Sequence, residues 1–149
     1  MIWKPHVTVA AVIERSGRFL LVEERIDGKR VFNQPAGHLE RGESLLDAVR
    51  REVLEETAHP FEPAALVGVY LYELPEKDRT YLRFCFSGRV DGAEPGRALD
   101  AEIVAVHWLT REEIQKRRDA LRSPMVLRCI DDHLAGAALP LDTLHHFTA

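Results

Sequence analysis

An α+β sandwich, with a mixed β-sheet held between helical layers, is the fold that this chain predicts, on three observations. Strand-like runs of β-branched and apolar residues begin at His6, one amphipathic helix interrupts them after Ser44, and two capped helices close the chain. At 149 residues the chain is long enough to bury one substantial core, so a single domain over residues 1–149 is expected.

The first run, "HVTVAAVIE" (His6 to Glu14), is followed by a turn at "RSG" and by "RFLLVEE" (Arg18 to Glu24), which predicts a hairpin. Asp27-Gly28 marks a second turn, leading into "VFNQPAG" (Val31 to Gly37), a short strand that Pro35 should convert into a loop. Ser44 with Asp47 fits a capping pair ahead of a helix from Leu45 to Thr57, which Pro60 must stop. Three more strands are expected over Ala64 to Leu74, Thr80 to Val90 and Ile103 to Leu109, with Leu82, Phe84 and Phe86 facing one way. "TREEIQKRRDAL" carries a capping box at Thr110 and Glu113, and "SPMVLRCIDDHLAG" has Pro124 at its start, so two helices follow.

With 46% hydrophobic and 30% charged residues, the composition excludes general disorder and a coiled coil. A net charge of -4 argues against a partner of nucleic acid polymer held by phosphate neutralisation. No apolar stretch approaches the roughly 18 residues of a membrane span, and no signal peptide is visible, so a cytoplasmic protein with no membrane partner is expected. Cys85 and Cys129 suit neither a disulfide framework nor a zinc motif and read as small buried apolar residues.

The helix after Ser44 holds an electrostatic problem. Glu52 lies three residues from Glu55 and four from Glu56, the two spacings at which helix side chains touch, and Glu56 borders the apolar stripe of Leu45, Val49 and Val53. Like charges there repel, more strongly near a core where the effective dielectric falls. A hard divalent cation resolves the conflict, since Mg²⁺ takes a few carboxylates and keeps waters for phosphate oxygens, and Mn²⁺ can substitute. A solvated acidic face is the alternative on spacing alone. No His-x-x-x-His pair offers a nitrogen-based site.

The segment "GHLERGESLLDAVRREVLEETAH" resembles the Nudix box, G-x5-E-x7-R-E-U-x-E-E-x-G-U with U apolar: Gly37, Glu43, Arg51, Glu52, Val53, Glu55 and Glu56 are in register. Ala58 and His59 depart from it, where the family has Gly and an apolar residue. The resemblance implies a Nudix α/β/α sandwich and a Mg²⁺-dependent hydrolase of diphosphate compounds. It further implies metal ligation by Glu52, Glu55 and Glu56 with the Gly37 carbonyl, and Glu52 or an acid outside the box as general base. Arg51 is then expected to hold Glu43 or another box carboxylate in place. A further acidic ligand from a later loop is also implied, with Asp100 and Glu102 as candidates and Glu102 preferred.

For the substrate, Asn33 and Gln34 offer amides suited to a base or pyrimidine edge, with turn capping as the alternative. Arg25, Lys29, Arg30 and Arg83 are candidate phosphate contacts, and Tyr70, Tyr72, Tyr81 and Trp108 candidate stacking surfaces. "KPHVTVAAVI", "NQPAGHLE", "LRF" and "LRSP" resemble one bacterial phosphatase subgroup of the family, associated with thiamine-precursor diphosphates and nucleoside di- and triphosphates. Expected alternatives are hydrolysis of ADP-ribose or another nucleoside diphosphate sugar, and a non-catalytic ligand-binding domain. Either a monomer or a homodimer is compatible with the sequence.

Overall fold

The computed structural model describes residues 1–149. In chain order its elements are β1 (His6–Arg15), β2 (Arg18–Ile26), β3 (Lys29–Asn33), β4 (Ala36–His38), α1 (Leu45–Thr57), β5 (Phe61–Leu74), β6 (Arg79–Val90), β7 (Ile103–Thr110), α2 (Arg111–Lys116) and α3 (Met125–Leu134). The seven strands form a mixed sheet in the order β3-β2-β1-β6-β5, with β4 added to β1 and β7 to β2.

Ser16 and Gly17 take positive φ, and the hairpin expected between β1 and β2 forms. Its register, however, is confined to Glu14 against Phe19 and Arg15 against Arg18. Beyond those pairs the strands part. β1 continues parallel to β6 from His6 against Tyr81 to Ile13 against Gly88, while β2 runs antiparallel to both β3 and β7. Pro35 interrupts the ladder only briefly. Its carbonyl accepts from the Ala11 amide at 2.9 Å, and pairing resumes as β4, with Gly37 opposite Val9. Residues 34 and 35 thus carry the chain from the β2 side of the opening to the β1 side.

β1 is apolar without a break because both of its faces are covered. Val9, Ala11 and Ile13 pack with Leu20, Phe86 and, from α1, Ala48, Val49 and Val53. Ala10 and Val12 pack on the other face with Leu21, Cys85, Ile114 of α2, and Val126, Cys129 and Ile130 of α3. Helical layers therefore lie on both sides of the sheet.

α1 has the predicted bounds; the Ser44 hydroxyl accepts from the Asp47 amide at 3.1 Å. It ends at Ala58 in the left-handed region (φ 61°) before Pro60 is reached. β5 begins at Phe61, three residues before the expected Ala64, because its register with β6 extends to Phe61 against Val90. The helix expected to reach Leu121 stops at Lys116, with a 3-10 turn over Arg118–Ala120. Only Ile114 of α2 is buried, and the basic run after it has no apolar stripe to hold further turns against the sheet. No helix is long and apolar enough to cross a membrane.

Candidate active site

The parting of β1 and β2 opens a cleft of about 630 Å³, walled by α1, β4, the ends of β2, β3, β5 and β6, and the segments carrying Asp100, Glu102 and Arg122. Its α1 side is acidic. Carboxylate oxygens of Glu52, Glu55 and Asp100 lie within 4.8 Å of one another. The Asp100 amide donates to the Glu55 carbonyl at 3.1 Å, so a backbone bond to the last turn of α1 sets that loop acid in place. Glu102 lines the same cleft but is not in this cluster.

Gly37 permits the arrangement. Its Cα faces the Glu52 carboxylate so closely that any Cβ would collide with it. Arg51 occupies the centre of the acids: Nε and Nη2 donate to the two oxygens of Glu43 at 2.9 and 2.7 Å, and Nη1 donates to Glu52 at 2.8 Å and to Glu55 at 3.2 Å. It also donates to the His38 carbonyl at 3.0 Å. The Glu43 carboxylate, held by Arg51, sits below its ordinary pKa, and the guanidinium sits above its own, chiefly through Glu43. Arg51 is thus fully engaged with protein groups, an arrangement that fixes carboxylates rather than reaching for a ligand.

One arginine does not neutralise this many acids. Burial pushes Glu52 up to about 7 despite Arg51, and Glu56 up to about 9 although its Oε1 accepts from the Ala36 amide at 2.8 Å. Crowded, oxygen-only donors, with Glu52 and Glu56 buried, Glu55 half-buried and Asp100 exposed, fit a hard divalent ion.

On the α3 side the cleft is basic and aromatic. Arg83, Arg79, Lys77, Arg122, Tyr72 and Tyr81 line it, and the Arg122 guanidinium meets buried Glu24 at 2.8 Å. Asn33 also lines the cleft. Gln34 does not. It is 1% exposed beneath the floor, where its Oε1 accepts from Arg83 at 2.8 Å and its Nε2 donates to the Ala11 carbonyl at 3.2 Å. Arg25, Lys29 and Arg30 are exposed and outside the cleft, Arg30 pairing with Glu23 at 3.1 Å. Tyr70 donates to Asp132 at 2.7 Å, and the Trp108 ring packs under Arg15 at 4.7 Å. Neither ring lines the cleft.

Sequence reasoning missed Thr8, Glu24, Lys77, Arg79 and Arg122. A trace of Glu24 was legible, since the two acids Glu23 and Glu24 continue the strand begun by the apolar "FLLV" of β2, and an acid buried there needs a partner. That partner, Arg122, is 98 residues away, and no local signal joins the two.

The family model described as the NUDIX domain matches residues 4–129. Phosphatase NudJ of Shigella boydii serotype 4 is 40% identical over 145 residues, covering 97% of this chain and 94% of that protein. Phosphatase NudJ of Escherichia coli K12 is 39% identical over the same shares of the two chains. Among solved structures, a NUDIX hydrolase from Nitrosomonas europaea superposes with a TM-score of 0.94 at 49% identity, covering 97% of this chain and 98% of that one.

Proposed function

The chain belongs to the Nudix hydrolase family, and on that footing we propose that it is a Mg²⁺-dependent phosphatase or pyrophosphohydrolase of nucleoside di- and triphosphates and of thiamine-precursor or thiamine diphosphates. One observation carries the reading: the oxygens of Glu52, Glu55 and Asp100 converge within 4.8 Å in a cleft that Lys77, Arg79, Arg83 and Arg122 also line. Residues 1–149 act as one domain in this reading. The 40% identity to a NudJ phosphatase over 97% of this chain and 94% of that protein supports the substrate class.

Glu52, Glu55 and Asp100 would hold the ion, with Glu56 and Glu102 as further acids of the same cleft. When bound, Mg²⁺ neutralises phosphate oxygens and makes a nearby water more acidic. This chain's residues do the rest. Arg51 and Glu43 fix the carboxylates, and Gly37 leaves room for Glu52 to approach β4. Glu52 or another acid of the cleft accepts the water's proton. Asn33 and Arg83 face the substrate from the floor, and Tyr72 and Tyr81 provide apolar surface for a ring.

The purified protein, given magnesium and a panel of these diphosphates and triphosphates, should release phosphate or pyrophosphate. Release of AMP and a sugar phosphate from ADP-ribose in preference to any of these would overturn the substrate class.

A further inference from the structure

Arg83 is the one buried cation of the protein, 5% exposed, and it forms no ion pair. Every other buried charged side chain has an answer: Glu23 meets Arg30 and His107, Glu24 meets Arg122, Glu52 meets Arg51, and Glu56 takes an amide. Arg83 has only the neutral amide of Gln34, and its Nε has no partner. A guanidinium keeps its charge, and a buried charge without a counter-ion is strongly unfavourable in a protein interior.

The two internal candidates do not remove the deficit. Glu24 feels Arg83 but is already joined to Arg122, and the Cys129 thiol beside Arg83 is a weak acceptor whose shift below the ordinary thiol range comes first from Cys85. A second observation points the same way. Thr8 Oγ1 and Asn33 Oδ1 also lack partners, and Thr8, Asn33 and Arg83 all line the cleft. Register places Thr8 directly beside Arg83 across the β1–β6 pair.

We infer that Arg83 is the specificity residue for a free terminal phosphate, so that the enzyme selects substrates ending in a singly substituted phosphate over those whose diphosphate is capped at both ends. The inference rests on the diphosphatase reading above and names the substrate class within it. A terminal phosphate carries up to two charges and a fork of oxygens that a guanidinium matches. In a nucleoside diphosphate sugar each phosphate is substituted twice, by one ester and one anhydride bond, and no such group exists. Arg83 lines the same cleft as the carboxylates, as do Arg79, Lys77 and Tyr81, so the end of a substrate whose inner phosphate is held at the carboxylates can reach toward it.

Wild type, Arg83→Gln and Arg83→Lys are compared on a nucleoside diphosphate, a nucleoside triphosphate and a nucleoside diphosphate sugar. Binding of imidodiphosphate with magnesium is followed by calorimetry. Arg83→Gln should lower kcat/KM for the first two substrates, and weaken imidodiphosphate, by about 10- to 100-fold, with little change for the sugar compound. Arg83→Lys should recover part of both. Equal losses on all substrates, unaltered imidodiphosphate binding by the folded variant, or a thiolate absorbance at neutral pH that Cys129→Ala abolishes would overturn the assignment. Should Arg83→Gln fail to fold, a wild-type preference for the sugar compound overturns it as well. Absence of turnover on all three with Arg83-dependent imidodiphosphate binding would sink the diphosphatase reading and leave Arg83 as an anion site.

Discussion

The Cα of Gly37 and the carboxylate of Glu52 are in such close contact that no side chain fits between β4 and α1 at this point. The colliding atoms are the far end of a flexible side chain, so Gly37→Ala should fold with nearly wild-type stability while displacing Glu52. Misplacement on this scale costs on the order of 100-fold in rate. Steady-state kinetics beside a thermal melt check the split; a variant of full activity would detach Glu52 from the chemistry.

Metal-free protein should lose stability as pH rises from 4.5 to about 9. Glu52 and Glu56 are raised to about 7 and about 9, so over this range the folded chain retains protons that the unfolded chain has released, and unfolding becomes easier. Magnesium displaces those protons, and the rise in melting temperature that it causes should grow with pH. Glu56→Gln keeps an acceptor for the Ala36 amide, so it should flatten the metal-free pH dependence and remove most activity. Melts in chelator and in magnesium across this range provide the measurement, and pH-independent increments would contradict it.

Glu43 has the opposite sign. Its pKa is lowered by Arg51, so the pair's contribution is present above the unfolded carboxylate's pKa and is lost as pH falls through the folded value. Glu43→Gln should therefore cost about 1–2 kcal/mol at neutral pH and less in acid. It should also slow turnover by loosening Arg51. Denaturant titrations at neutral and acidic pH test this, and an equal loss at both would reject it.

Ala58 ends α1 with φ 61°, where the family's usual Gly has no steric penalty. Ala58→Gly should stabilise the protein by about 0.5–1 kcal/mol, raising the melting temperature a few degrees without altering kinetics. An unchanged or lower melting temperature would show that the cap is not strained.

Local chemistry made α1, its Ser44 cap and its acid spacing readable in advance, because each depends on residues within one or two turns. Nudix membership was legible from the same helix together with Gly37 and Glu43. What could not be read was the parting of β1 and β2, which is set by the parallel pairing of β1 with a strand some 75 residues away. That pairing decides which polar residues meet. It sends Gln34, read as a base-edge amide, below the floor and Arg83, read as a phosphate contact, into the cleft. Asp100 over Glu102 as the partner of Glu52 and Glu55 follows from a backbone bond to Glu55 that no composition signal announces.

The loop after β6 is stitched to the end of α1 twice, Glu94 to the Ala58 carbonyl at 2.8 Å and Asp100 to the Glu55 carbonyl. Between the two stitches residues 95–98 are exposed. Tethered at both ends, this span can grow, shrink or accept a foreign peptide while the acid beyond it stays put. Changes of length there leave the chemistry of the cleft undisturbed.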